Sequence, residues 1–263
     1  MIIKSKNRCN IFRKRILEMS QNVQALHISS AFSCTEVVEN IYFNLMKKKN
    51  GNYIDKFIMS KGHGCLIQYV ILEYLGILKK KDINLYCKKG GILGCHPDIE
   101  NPGIEASTGS LGHGLTMALG ICIANKKRGN NSKCFVVISD GELQEGSTWE
   151  AILLASSLNL NNLIVYVDNN NYQSLGKTSI THPSFYPLAE KFKSFIWDVK
   201  EVSGHNSSQL FNSFYSWKQK KPLVVIAKTI KGYPVDFMID SPIWHYRSPN
   251  EDELKSAYQQ IEK

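Results

Sequence analysis

Apolar residues from Ile11 to Leu26 recur at helical spacing, which predicts an opening helix. A second helix is expected from Ser33, where Ser33-Cys34-Thr35-Glu36 reads as a capping box ahead of Val37, Val38, Ile41 and Tyr42. Cys65 to Leu75 reads as a buried helix stopped by Gly76. The glycine-rich stretch Gly109 to Gly114 then runs into another helix, Leu115 to Ala124. Beyond it the pattern alternates. Short apolar runs at Cys134–Ile138, Leu163–Val167, Trp197–Val202 and Leu223–Ala227 predict strands. Between them, Ser147-Thr148-Trp149-Glu150 is a capping box for a helix to about Leu158, and helices are expected over 184–195 and 208–218. Ser248-Pro249-Asn250-Glu251 predicts a last helix with Pro at its first position.

Strands alternating with helices imply an α/β fold, a parallel sheet covered by helices on both faces. In such sheets ligands sit at the carboxyl ends of strands, which directs attention to 139–146 and 168–176. No repeat, low-complexity tract or Pro/Gly linker divides the chain, so residues 1–263 read as one domain. With 43% hydrophobic and 21% charged residues, the composition excludes a disordered tail or a fibre. The net charge of +9 comes from short lysine clusters beside Asn and Gly, as on solvated loops. There is no basic-aromatic ladder, so no nucleic-acid partner is expected. Seven cysteines without a CxxC suggest neither a disulfide framework nor a zinc knuckle. Residues 106–125 lack charge but are rich in Gly, Ser and Thr, unlike a membrane span, and no signal-peptide core precedes them. A cytoplasmic protein with reduced thiols and no membrane partner is expected.

Gly176-Lys177-Thr178 imitates the end of a P-loop, but the glycine required upstream is Asn171. More informative are two loops. The strand at 134–138 runs into Ser139-Asp140-Gly141-Glu142-Leu143-Gln144-Glu145-Gly146, and the next strand into Asp168-Asn169-Asn170-Asn171. One helix and one strand separate them, so both loops open at the same sheet edge. Asp140 and an Asn side chain there could converge on one hard cation. Magnesium takes oxygen ligands and keeps substrate phosphates among them. One carboxylate and one amide leave the ion net positive, suited to a diphosphate. Taken as isolated residues, they read more simply as two polar loops after buried strands.

The longer strings are specific. Asp140-Gly141 followed by Asn169-Asn170 resembles the diphosphate-binding motif of thiamine diphosphate enzymes, and the string from Asp140 to Ala151 is similar to its transketolase version. Ser60-Lys61-Gly62-His63-Gly64, His96-Pro97, Pro102-Gly103-Ile104-Glu105, the run Thr108 to Leu115, Gly204-His205-Asn206 and the run Lys228 to Gly232 resemble further transketolase segments in order and spacing. The likeness extends from about residue 10 to the C-terminus, but only to the diphosphate-binding domain of that family. It implies the N-terminal subunit of a split transketolase. Such a subunit would transfer a two-carbon ketol unit from a ketose to an aldose, acting only with a separate C-terminal subunit that carries the pyrimidine-binding domain and its glutamate. A heterotetramer acting on sugars or sugar phosphates is expected.

Residue by residue, the resemblance implies magnesium ligation by Asp140, Asn170 and the Tyr172 carbonyl. It places Leu111, Gly112, His113, Gly141, Glu145 and His63 against thiamine diphosphate. It puts His27, His63, His96 and His245 above the reactive carbon, as groups able to donate or accept protons near neutrality. His182 and His205 match no catalytic position and read as structural. Ser139, Phe195-Ile196-Trp197, Ala25 to Ser29 and Tyr246 depart from common family residues, which leaves the donor and acceptor sugars open. A deoxyxylulose phosphate synthase-like condensation, two-carbon branching of a sugar, and a non-catalytic homologue are the alternatives.

Overall fold

The structure, a computed structural model, describes residues 2–174 and 176–262. In chain order the elements are α1 (Ile2–Ser20), α2 (Ile28–Ser33), α3 (Thr35–Asn40, continued by a π-turn), a small hairpin β1 (Lys48–Lys49) and β2 (Asn52–Tyr53), β3 (Lys56–Met59), α4 (Leu66–Tyr74), α5 (Lys80–Asn84), α6 (Gly114–Lys127), β4 (Cys134–Ser139), α7 (Gly146–Ser157), β5 (Leu163–Asn169), α8 (Thr178–Thr181), α9 (Leu188–Ser194), β6 (Asp198–Ser203), α10 (Ser207–Tyr215), β7 (Leu223–Lys228) and α11 (Glu251–Glu262). Five strands form one parallel sheet in the order β3-β4-β5-β7-β6, with Ser139 opposite Asp168 at the carboxyl ends of β4 and β5. This is the α/β architecture the alternating pattern predicts.

The central strands are apolar at almost every position because both faces are covered. Phe135, Val137, Ile164, Tyr166, Val225 and Ala227 face a core shared with α1 to α4 and α10. Their neighbours Val136, Ile138, Val165, Val167, Val224 and Ile226 face a second core shared with α6, α7 and α9.

Several boundaries differ from the sequence reading. The first helix ends at Ser20, and Leu26 is buried from a loop instead. Ser33 closes α2 rather than capping a new helix, and its hydroxyl goes to Asp168. The box at residue 147 also fails, since Ser147 Oγ donates to the Gly112 carbonyl and Thr148 Oγ1 to that of Glu142. At Ser33 the hydroxyl donates to Asp168 and accepts from Asn170 Nδ2 instead of a helix N–H, and at Ser147 the helix has already begun at Gly146, so neither hydroxyl sits as a cap. The helix expected over 184–195 starts only at Leu188, because Pro187 has no N–H to carry it and holds Tyr186 extended. At the last helix the reciprocal cap is Asn250 with Glu253, not Ser248 and Pro249. The strand β3, absent from the sequence reading, forms the sheet edge and delivers Ser60 and Lys61.

After α9, the Trp197 N–H bonds the Phe192 carbonyl and the Ile196 N–H bonds that of Lys193. This terminus normally ends on glycine, because the residue after the cap is left-handed. Here it is Ile196, at φ +66 and 61% exposed. A β-branched side chain there is strained. Ile196→Gly is expected to raise stability by about 1 kcal/mol, since relief of left-handed strain exceeds the added freedom of the unfolded chain. Urea denaturation of the two proteins checks this.

Candidate active site

The pairing of β4 with β5 sets two loops side by side. Asp140 follows β4 and is fully buried, its Oδ1 accepting from Gly141 N at 2.9 Å and its Oδ2 from Asn171 N at 2.6 Å. Asn170 Nδ2 donates to Ser33 Oγ at 3.0 Å and to Asp168 Oδ2 at 3.1 Å, while its Oδ1 accepts from Tyr172 N at 2.9 Å. A Cβ on Gly141 would come within 3.1 Å of Gln173 Cβ and 3.8 Å of the Tyr172 carbonyl oxygen, so that carbonyl lies beside Gly141. One carboxylate, one amide and one carbonyl thus gather at two strand tips. Burial, reinforced by Asp168, pushes the Asp140 carboxyl up to about 7. A carboxylate so short of positive charge suits a divalent cation, and this all-oxygen set suits magnesium that also takes phosphate oxygens.

Positive charge stands next to it. Asp168 is fully buried and accepts from Lys61 Nζ, Ser33 Oγ and Thr229 Oγ1. Burial alone would lower the Lys61 pKa, but Asp168 outweighs it and the group is pushed up to about 12. Lys231 has no carboxylate in contact among the described residues. Its Nζ donates to His245 Nδ1 at 2.8 Å, and burial together with Lys61 pushes it down to about 8. The sequence reading did not single out Lys61, Lys231 or Asp168. Both lysines lie inside the transketolase-like strings Ser60 to Gly64 and Lys228 to Gly232, and a diphosphate ligand calls for such cations.

Beside these groups opens a cavity of about 420 Å³, whose wall includes Gly141, Glu145, Asn170, Tyr172, Leu111, Lys61, Lys231 and all four histidines expected there, while the carboxylates of Asp140 and Asp168 lie fully buried behind it. Ring centroids lie 5.4 Å apart for His27 and His63, 6.4 Å for His27 and His96, 5.0 Å for His27 and His245, and 5.9 Å for His63 and His245. Glycine permits this convergence. A Cβ on Gly62 would sit 2.7 Å from Gly109 N, and one on Gly109, at φ +150, would sit 2.8 Å from the His96 ring. The Tyr69 hydroxyl holds the His96 carbonyl at 2.8 Å. Tyr246 stands at 4.7 Å from the His27 ring and is exposed.

Not every expected residue reaches the cavity wall. Gly112 lies behind it, donating its N–H to Glu142 Oε1 at 2.9 Å, and His113 is exposed beside it. His205 lies elsewhere, its Nδ1 2.9 Å from Glu36 and its Nε2 accepting from Ile230 N. His182 is exposed.

The four channel histidines are neutral near pH 7. Burial and His96 push His27 down to about 4, and burial and Lys231 push His245 down to about 3. His63 is lowered well below its ordinary value by burial and Lys61, and His96 is lowered by burial. Neutral imidazoles can accept or donate protons while the lysines hold negative charge. The unfolded chain protonates its histidines near pH 6.5, whereas folded His27 and His245 resist until about 3 to 4. Folding stability is therefore expected to fall as pH drops from about 6.5 towards 4. Urea midpoints across that range should show the slope, and His27→Asn with His245→Asn should flatten it. A second expectation concerns Lys231, which loses its proton near pH 8. Affinity for inorganic pyrophosphate should decline between pH 7 and 9 by calorimetry, and Lys231→Met should bind about tenfold more weakly at pH 7.

A profile for the transketolase thiamine diphosphate-binding domain matches residues 5–261. The chain is 34% identical to one of the subunits of apulose-4-phosphate transketolase from Phocaeicola vulgatus, over 95% of this chain and 90% of that one. It is 31% identical to a 6-deoxy-6-sulfo-D-fructose transketolase subunit of a Clostridium species, over 98% and 96%. The crystal structure of Campylobacter jejuni transketolase superposes with a TM-score of 0.92 at 25% identity, covering all of this chain and 43% of that one. The chain therefore belongs to the transketolase family, in its thiamine diphosphate-binding domain.

Proposed function

We propose that this chain is the diphosphate-binding subunit of a two-subunit transketolase, transferring a two-carbon ketol unit from a ketose to an aldose. One observation carries the reading: His27, His63, His96 and His245 converge on a single cavity that also holds Asn170, Gly141 and two buried lysines. Asp140, Asn170 and the Tyr172 carbonyl would hold magnesium, and Lys61 and Lys231 would balance the diphosphate. Leu111 and Gly141 would line the cofactor, with Glu145 towards the subunit boundary. Gly112 and His113 belong to the same loop and would act from behind it. When bound, thiamine diphosphate supplies a nucleophilic carbon able to accept a two-carbon fragment from a ketose.

The chain's own part is acid–base and electrostatic. His27 and His245, neutral and 5.0 Å apart by ring centroid, would take up and return protons at the sugar's hydroxyl and carbonyl oxygens. Lys231 donates to His245 Nδ1, which leaves that ring's Nε2 carrying its proton. Negative charge developing on a sugar oxygen would lie within reach of Lys231.

The family's pyrimidine-binding glutamate lies outside this domain, so a separate C-terminal subunit would supply it, completing a cytoplasmic heterotetramer. No helix among the described residues is long and apolar enough to cross a membrane. The relatives' names join two different sugars, one phosphorylated and one sulfonated, to subunits of this length. An anionic ketose is the substrate class that follows. Purified chain mixed with a pyrimidine-domain subunit, thiamine diphosphate and magnesium should transfer ketol units, and neither subunit should do so alone. Asp140→Ala in the mixture should lower turnover at least 100-fold. Full turnover by the isolated chain would overturn the split.

A further inference from the structure

A second polar cavity lies at the opposite end of the sheet. Asp55 is buried just before β3, and its two carboxylate oxygens accept the backbone N–H groups of Lys47 and Lys133, each at 2.8 Å. One carboxylate thereby ties two segments remote in sequence and sets two lysines beside one another. Lys133 immediately precedes β4 and Asp140 immediately follows it. Six residues of strand separate the two ends, about 20 Å at the usual rise.

The cavity is about 370 Å³, and Lys47, Lys126, Lys133, Asn130, Asn131 and Asn162 are among its lining residues. Lys126 Nζ is already engaged, donating to the Leu158 and Asn159 carbonyls at 3.2 and 2.8 Å. It thus covers the carbonyl end of α7, which would otherwise repel an anion. Lys47 and Lys133 have no side-chain partner among the described residues. Lys133 is only 8% exposed. Its ammonium is lowered from the ordinary lysine value by burial and by Lys47, with Asp55 offsetting part of the loss. Lys47 is exposed and can be solvated, whereas Lys133, buried beside it and helped only in part by Asp55, is the charge that an anion would stabilise most. Asn162, which lines the cavity, also carries an unmet acceptor closed off from solvent. Asn162 is 9% exposed and donates through Nδ2 to the Cys122 carbonyl at 3.1 Å, while its buried Oδ1 has no partner among the described residues.

We propose that this cavity is a binding site for a small hydroxyl-bearing phosphate monoester, its phosphate between Lys47 and Lys133 and a hydroxyl donated to Asn162 Oδ1 once that side chain turns to bring the oxygen to the cavity. The site is separate from the histidine-lined cavity, and nothing in it depends on the transketolase reading. The lysine ammoniums recognise the oxyanion by charge-assisted hydrogen bonds, and the orphaned amide oxygen favours an ester with a hydroxyl over bare phosphate.

The test uses the full chain labelled with ¹³C at the lysine side chains, its resonances assigned by Lys47→Arg and Lys133→Arg. The probes are glycerol 3-phosphate, inorganic phosphate and sodium chloride at matched ionic strength. Glycerol 3-phosphate at millimolar concentration should shift the Lys133 signal saturably and raise its titration midpoint. Inorganic phosphate should do the same more weakly, and chloride should not. Lys47→Met should weaken the response about tenfold or more, and Asn162→Ala should remove the preference for the ester. An unmoved Lys133 signal, or an equal response to chloride, overturns the site. Equal affinity for ester and phosphate overturns the role of Asn162. Lys231→Met leaves this response intact if the site is separate, and its loss in that variant would mean that only the histidine-lined cavity binds phosphate.

Discussion

One buried carboxylate organises the carboxyl edge of the sheet. Asp168 at the tip of β5 accepts from Lys61 after β3, Ser33 at the end of α2, Thr229 after β7 and Asn170 in its own loop. Four segments far apart in sequence thereby meet on one side chain. Taking a carboxylate and an ammonium out of water carries a desolvation penalty of several kcal/mol per ion, so the pair persists only with good geometry and satisfied lone pairs. Asp168 meets that condition, with two donors on each oxygen. Lys61 cannot leave without stranding the charge, and His63, two residues on, is held with it.

The surplus and deficit of charge around that hub have opposite signs in adjacent places. Among the described residues no cation touches Asp140 and no carboxylate touches Lys231, and burial outweighs the opposite charges near each. A magnesium diphosphate would suit both, the carboxylate serving to hold a cation and the lysine a phosphate oxygen. The histidines fall under the same field. Lys61 and Lys231 help to hold His27, His63 and His245 in the neutral form. The cations that suit a diphosphate thus also keep the proton-carrying groups in the form that can accept a proton near pH 7.

Much of this was legible in the chain because backbone pattern and loop chemistry point the same way. Apolar runs located β4, β5, β6 and β7, and the loop strings point to Asp140, Asn170 and the four histidines, of which Asn170 and the histidines line one cavity. The misses share a cause. Ser33 and Ser147 look like helix caps in sequence, yet each hydroxyl finds a partner contributed by distant chain, Asp168 and the Gly112 carbonyl. Local rules cannot see such partners. The edge strand β3 opens on Lys56 and pairs on one side only, so it lacks the longer apolar run that marks the inner strands. Lys61 and Asp168 are ordinary polar residues until the fold brings them together. His113 shows the reverse case, a residue inside a matching string that the fold leaves exposed off the cavity wall.

The departures from common family residues are unevenly placed, and that distribution bears on what the site selects. Asp140, Gly141 and Asn170 retain the family string, and the one change beside them, Ser139, puts its hydroxyl to use by accepting from Glu142 N. Ile28 and Ser29, by contrast, follow directly on His27, and Tyr246 lies against its ring at 4.7 Å. Residues at the diphosphate end meet the same cofactor in any such enzyme and have little freedom. Residues around His27 would meet the sugar under the proposed function, and an exposed phenol there adds both bulk and a hydrogen-bonding group. Change concentrated beside His27 with the cofactor end held fixed would fit a shift of sugar under constant chemistry.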